Sequence, residues 1–360
     1  MVYMKGIFYN SKKAACSIWE SGKMCYDALS KSTLFTLDYS EDTFLNMDYD
    51  FAIFNQHFDV NNWMTETMIK SFIKGTLFPT GASAKGTKGA AKGTDGARLK
   101  PAFCIVTEVT FSDNPISLSP NYFTNYIILD PTVSETSKLH AFGRPIEKEP
   151  EMENPSREPS VPSANSPSRA PLVPFDNTNI PNIFSFGFPT QGKEWHKILE
   201  IVQNEFDYAN IHFNIPKGSH ISQTMHDDMI SYIYFMCNSI ITKKGINLKI
   251  THDNLTKEEL IKLCAKQTIN CFYYDRQHIF SRGLAAVTDQ AISSGRPLLV
   301  TGDTTFRHIH KYINYYPNIS LKEAIEQTQD GVLKMRRDWS SENFLSKFEN
   351  ILRQMISTAL

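Results

Sequence analysis

The sequence is poor in the features that mark several large functional classes. Among its 360 residues, no apolar run reaches the ~18–20 residues that a membrane-spanning helix needs. The N-terminus has no basic stretch followed by an apolar core, so no signal peptide is expected. The six cysteines (Cys16, Cys25, Cys104, Cys237, Cys264 and Cys271) form no CxxC pair and no Cys/His grouping with zinc-like spacing, so no metal site is expected. Several lie in apolar runs, where a thiol serves as a small core residue. This usage fits a reducing compartment, and a cytoplasmic location is expected. An excess of basic charge is also missing. Lys and Arg number 37 against 38 Asp and Glu, a formal net charge of −1. That balance argues against a surface dominated by nucleic-acid binding. There is no Walker loop, no Ser-His-Asp order and no GxGxxG after the first strand, and no repeat of solenoid period.

What is present supports sizeable cores: 41% of residues are hydrophobic and 12% aromatic. The length favours two domains over one. In the first part, Met4–Asn10, Asp50–Asn55, Ala102–Val109 and Asn125–Leu129 read as strands. Helices are expected over Ala14–Leu29, broken or kinked near Ser21-Gly22, and over Thr65–Lys74. Thr80–Lys100 is rich in Gly, Ala, Lys and Thr and has no large apolar side chain except Leu99, so it is expected to be a flexible insertion. From about Glu147 to Pro174 the composition shifts to Pro, Ser and Glu, the signature of an extended linker.

The second half alternates strand and helix. Strands are expected at Ile183–Gly187, Asn210–Asn214, Ile246–Ile250, Asn270–Tyr274 and Leu298–Thr301. Helices are expected at Glu194–Phe206, Asp227–Ile241, Thr256–Lys266 (opened by the Thr256/Glu259 spacing of a capping box), Leu284–Ser294, Leu321–Gln329 and Asn343–Thr358. Such alternation predicts a parallel, doubly wound sheet. The fold class expected is therefore α/β, with two Rossmann-like domains and a cleft between them. Residues 1–146 form the first domain, 147–178 the linker and 179–360 the second domain.

Three blocks of the second half carry a family resemblance. Phe184–Val202 (FSFGFPTQGKEWHKILEIV), Gly283–Thr301 (GLAAVTDQAISSGRPLLVT) and Ile319–Gln327 (ISLKEAIEQ) resemble the donor-binding half of GT-B glycosyltransferases. The likeness is to the large retaining group that includes sucrose and mannosyl transferases. In the first half it rests on strand order and on Leu139–Glu147 (LHAFGRPIE). The resemblance implies a metal-independent transferase that moves a sugar from a nucleotide-sugar, its co-substrate, to a glycan, lipid-linked or small-molecule acceptor. No other cofactor and no nucleic acid is implied, and peripheral membrane contact stays open. The chain departs from the group at two places. Aligning SGRP on the family's SGxP puts Arg282 and Gln290 where two glutamates eight positions apart are usual. Phe188 replaces the family's arginine after the glycine loop. Two alternatives follow: a non-catalytic GT-B-like glycan- or nucleotide-binding or scaffold protein, and a sugar-nucleotide epimerase of GT-B type.

By this resemblance Lys193 would meet a donor phosphate, where charge develops as the glycosidic bond breaks. Gly187 would allow close approach of backbone to ligand. Ser281, Arg282 and Gly283 would cradle phosphate at a helix start. Thr288 and Asp289 would bond ribose or sugar hydroxyls. In the first domain, His57 follows the second strand read above and is a candidate sugar-binding or acid/base group. Glu108, at the end of AFCIVTEV, is a candidate for holding an acceptor hydroxyl. Arg276, His278, Arg307 and His308 form a further polar set around the same element.

Overall fold

A computed structural model describes residues 4–10, 17–42, 45–55, 65–75, 99–107, 123–146, 180–218, 222–275 and 284–358. The first lobe contains β1 (Met4–Tyr9), α1 (Ser17–Leu29), β2 (Phe35–Ser40), β3 (Phe51–Asn55), α2 (Glu66–Lys74), β4 (Ala102–Val106), β5 (Asn125–Ile128) and β6 (Leu139–Ala141). These strands form one parallel sheet in the order β2-β1-β3-β4-β5-β6. Every residue of β3, β4 and β5 is buried, because a parallel sheet carries packed layers on both faces. The two-residue period sorts their side chains. Phe51, Ile53, Phe103, Ile105 and Ile127 enter one core, and Ala52, Phe54, Cys104, Val106, Tyr126 and Ile128 enter the other.

The second lobe follows with β7 (Asn182–Phe186), α3 (Trp195–Glu205), β8 (Ala209–Asn214), α4 (Gln223–Ile240), β9 (Ile246–Thr251), α5 (Lys257–Ala265), β10 (Ile269–Phe272), α6 (Val287–Ser294), β11 (Leu298–Val300), α7 (Arg307–His310), α8 (Leu321–Gln327), α9 (Gln329–Asp338) and α10 (Ser341–Thr358). Its five strands pair in parallel, as the alternating pattern predicts, and their order is β11-β10-β7-β8-β9. The Thr256/Glu259 capping box opens α5, with both reciprocal bonds formed. The five described cysteines are buried, and burial pushes the Cys237 and Cys271 thiols up to about 12, which keeps those two inert.

One local expectation is corrected. Helix α1 runs unbroken through Ser21-Gly22. A Cβ at Gly22 would sit 2.2 Å from both Asn10 Oδ1 and Asn55 Nδ2, so the glycine lets α1 lie against the ends of β1 and β3. The insertion, apart from Leu99 and Lys100, and the Glu147–Pro174 stretch lie outside the described residues.

The last helix belongs with the first lobe in space. Phe344, Phe348, Ile351 and Leu352 of α10 share one helical face and join the core that holds Phe35, Phe51 and Phe103. The Phe348 ring lies 4.9 Å from that of Phe103 and 5.8 Å from that of Phe35. The chain therefore passes between the lobes twice, and the two passages are bonded. Ile146 donates its N–H to the Trp339 carbonyl at 2.7 Å and bridges in parallel to Ser340. Gly143 lies so close to the Trp339 indole that a Cβ there would come within 2.2 Å of the ring.

Candidate functional site at the strand switch points

In each sheet the chain builds outward on one side of the first strand and then crosses to the other. The crevice this leaves at the carboxyl ends of the strands is where open α/β sheets bind ligands. In the second lobe the crevice lies between β7 and β10. The two loops that border it are tied to each other: Lys193 and Tyr274 form an antiparallel bridge, Glu194 donates its N–H to Tyr273 O at 3.0 Å, and Asp275 donates its N–H to Gly192 O at 2.9 Å.

Gly187 ends β7 at φ 127°, a conformation that L side chains rarely adopt. A Cβ there would fall 2.6 Å from Lys193 Nζ and 3.0 Å from Val287 Cγ1. The Lys193 ammonium and the first residue of α6 thus converge on the space above Gly187. Lys193 is oriented by the carbonyl of Phe188, to which it donates at 2.8 Å, and by the Tyr274 ring, whose centroid lies 5.4 Å from Nζ. Ala286 caps α6 without a side-chain bond, so no side-chain oxygen from that position competes at the helix start. A fixed cation beside a helix N-terminus is an arrangement suited to an anion.

Thr288 and Asp289 do not face this space as open hydroxyl and carboxylate. Asp289 is buried and accepts from Arg144 Nη1 at 3.0 Å, while Arg144 Nη2 donates to Leu284 O at 2.8 Å. Burial pushes the Asp289 carboxyl above the usual carboxylate range, and the neighbouring guanidinium offsets only part of that. Thr288 donates to Ala285 O at 2.7 Å and lies 3.3 Å from His308 Nε2. The His308 ring stacks on Trp339 with centroids 5.5 Å apart, and burial first, then Arg144, Arg307 and His310, hold it well below the usual histidine value and hence neutral. Arg307 reaches into the first lobe, bonding Asp130 through Nε at 2.8 Å and Nη2 at 2.5 Å. The described part of the polar set read from the sequence is therefore a contact between lobes. Arg144, Asp130 and Trp339, its other members, carry no local signal: Arg144 and Asp289 are 145 positions apart.

Helix α6 begins at Val287. Ser281, Arg282 and Gly283 precede it by four positions or more and lie outside the described residues, as do Arg276 and His278. In the first lobe the switch point falls between β1 and β3. Asn55 donates to Asn10 Oδ1 at 2.7 Å and to Ile18 O at 2.8 Å, and Asn10 donates to Trp19 O at 3.0 Å, pinning the start of α1. His57 and Glu108 lie outside the described residues. A carboxylate that the sequence did not single out is Glu20, in the first turn of α1. Desolvation raises its pKa, Lys257 on α5 lowers it and Asp289 on α6 raises it, so this turn of the first lobe faces the second.

Beside the Gly187–Lys193 loop, on the side of α4, lies a cavity of ≈ 420 Å³, within the range of small-molecule sites. Among the described residues no group of three or more His, Cys, Asp and Glu could hold a metal ion, and no helix is long and apolar enough to cross a membrane.

No protein-family model matches the sequence, and no curated protein is similar to it in sequence. Solved structures are similar in fold. HepE of Anabaena in complex with UDP and glucose matches with a TM-score of 0.53 at 7% identity over 98% of this chain and 100% of that one. Its UDP complex gives 0.55 at 8%, with the same coverage. The UDP-forming α,α-trehalose-phosphate synthase of Burkholderia xenovorans, in complex with glucose-6-phosphate, gives 0.55 at 9% over 98% of this chain and 99% of that one. At such identities the likeness is one of architecture. The chain has the GT-B fold, two doubly wound parallel-sheet lobes of six and five strands.

Proposed function

We propose that this protein is a glycosyltransferase that binds a nucleotide-sugar at the β7/β10 switch point. The observation that carries the reading is the convergence of Lys193 Nζ, Gly187 and the start of α6 on one space, in a fold shared with a protein solved with UDP and glucose. The donor diphosphate lies over Gly187, where a side chain would block it. Lys193 and the amide end of α6 stabilise the negative charge that grows on the diphosphate as the sugar leaves. The first lobe takes the acceptor (a glycan, a lipid-linked sugar or a small molecule), with Glu20 a described carboxylate near the second lobe and, unlike Asp130, not bonded to Arg307. His57 and Glu108 remain its other candidate groups. Gln290, partly exposed on α6, takes the place of the ribose-binding glutamate of the retaining group, and Ser281–Gly283 complete the phosphate end. Protein groups alone supply this chemistry, in the cytoplasm.

A panel of UDP-, GDP-, ADP- and CMP-sugars in a thermal-shift assay tests the reading. A ligand present at 100 times its Kd adds about 2.7 kcal/mol of stability. Lys193→Ala removes a charge-assisted contact of about 1.5–3 kcal/mol and is expected to weaken the donor roughly 10- to 150-fold. Absence of binding by every sugar nucleotide, or Lys193→Ala binding as tightly as wild type, sinks the proposal. A second reading, a non-catalytic binder of the same ligand, is favoured by the engagement of Asp289 with Arg144. Binding without hydrolysis or transfer would select it.

A further inference from the structure

The ≈ 420 Å³ cavity is lined by residues 189–196 and by α4, with neither Gly187 nor α6 in its wall, and the donor reading leaves it without a use. One wall is α4. Its residues Asp228, Met229, Tyr232 and Met236 recur at helical spacing and line the cavity, with the Tyr232 ring 58% exposed. The same helical face continues past the rim through Met225, 55% exposed, and Phe235, 69% exposed. The other wall is the loop and the first turn of α3, with Gln191, Glu194 and Trp195. Trp195 is buried, and its indole N–H has no hydrogen-bond partner among the described residues.

Three physical features restrict the occupant. Lys193, Glu194, His196 and Asp228 line the cavity, with the Lys193 ammonium held by the Phe188 carbonyl and Glu194 lying 3.5 Å from His196 Nδ1. Two carboxylates against one lysine leave the lining without an excess of positive charge, which disfavours phosphate, nucleotide and an anionic lipid surface. The carboxylates and the Gln191 carbonyl offer acceptors for several hydroxyl donors, and the Gln191 amide N–H groups offer donors to an acceptor oxygen. An exposed tyrosine ring with methionines beside it offers a flat apolar platform. A pyranose ring combines these demands: a C–H face of weak positive charge for the aromatic ring, hydroxyl donors at its edge and oxygen acceptors within one small unit. Phe235 and Met225 extend the platform beyond a single ring.

We propose that this cavity and the adjoining face of α4 bind a neutral oligosaccharide, one sugar seated against Tyr232 and the next running over Phe235. The site adjoins the donor position at Lys193, which borders both, and it does not require the transferase reading. Through the shared loop it would hold a growing or partner glycan beside the lobe that carries the donor.

The test uses the full chain and four neutral tetrasaccharide probes, maltotetraose, cellotetraose, mannotetraose and chitotetraose, followed by saturation-transfer NMR and tryptophan fluorescence. At least one is expected to bind. Loss of the stacking ring in Tyr232→Ala is expected to weaken it roughly five- to tenfold, whereas Tyr232→Phe, which keeps the ring, is expected to bind as wild type does. Tyr232 is exposed, so neither variant threatens the fold, which a circular dichroism melt verifies. UDP-sugar binding is expected to be unchanged in Tyr232→Ala, so failure of this proposal and failure of the donor reading show in different measurements. The proposal is overturned if no probe binds at millimolar concentration, or if binding is indifferent to Tyr232→Ala. It is also overturned if sedimentation shows that this face closes on a second copy of the chain, with the association abolished by Phe235→Asp.

Discussion

The Arg144–Asp289 pair allows the firmest numerical test of the architecture. Its side chains are 6% and 8% exposed, its N···O distance is 3.0 Å, and it joins the passage between the lobes to helix α6. Replacing Asp289 by Asn keeps the shape and removes the charge. Arg144 would then stay buried with a neutral amide and the Leu284 carbonyl as partners. Breaking one side of a buried pair costs about 3–5 kcal/mol. At about 2–4 °C per kcal/mol, the midpoint of thermal unfolding is expected to fall by roughly 6–20 °C. Arg144→Met removes the other side and also leaves Leu284 O without its donor, at a further cost of about 1–3 kcal/mol. The double variant Arg144→Met/Asp289→Leu removes both charges, and its loss is expected to be far smaller than the sum of the single losses. Differential scanning calorimetry of the four proteins closes the cycle. A drop below about 2 °C for Asp289→Asn, or a double variant that loses the full sum, would refute the assignment of this pair as the clamp between lobes.

Two further outcomes follow from the same geometry. Gly187→Ala is expected to strain the backbone at φ 127° and to drive a methyl group into the 2.6 Å approach of Lys193 Nζ. It should destabilise the protein by about 1–3 kcal/mol and weaken any sugar nucleotide along with it, and unchanged binding with normal stability would contradict the placement of Lys193. His308 has its folded pKa well below the unfolded value of 6.5, so only the unfolded chain takes up its proton as pH falls through that value. Its stabilising contribution is full above pH 6.5 and is lost on acidification, at up to about 1.4 kcal/mol per pH unit. Stability measured by urea unfolding between pH 7 and pH 5 is expected to fall less steeply in His308→Gln, and equal slopes would reject the histidine as a buried neutral group.

The sheets were legible because their central strands are buried on both faces and read as short continuous apolar runs, as in FAIFN and AFCIV. The elements that escaped lack that signal. Strand β2, FTLDYS, is a half-exposed edge carrying Asp38 and Ser40, and β6 has three residues. Helix α9 follows α8 almost at once and contains Gly331, a residue that reads as a breaker but lies where a Cβ would come 2.4 Å from Ile313 Cγ2 and Tyr312 O. Gly22 misled in the same way. A sequence window reports the flexibility of glycine, whereas both positions use its lack of volume, which only the distant partner reveals.

The candidate site shows the same division between local and long-range information. Gly187 and Lys193 stand six positions apart on one strand-loop-helix unit, so the sequence could bring them together. Asp289 lies on the expected helix, but its partner comes from the passage between lobes, and no window contains both. That pairing changes the chemical reading of α6. A carboxylate in the first turn of a helix beside a phosphate site would oppose the anion that Lys193 and the helix end attract. Held by Arg144, Asp289 has its charge largely matched and its oxygens turned to the architecture. Under the donor reading proposed above, the positive end of α6 then stays available to the ligand, and the neutral amide of Gln290 would take the contact to the ribose. In this structure the acidic group of α6 therefore serves the joint between the lobes and not the space above Gly187.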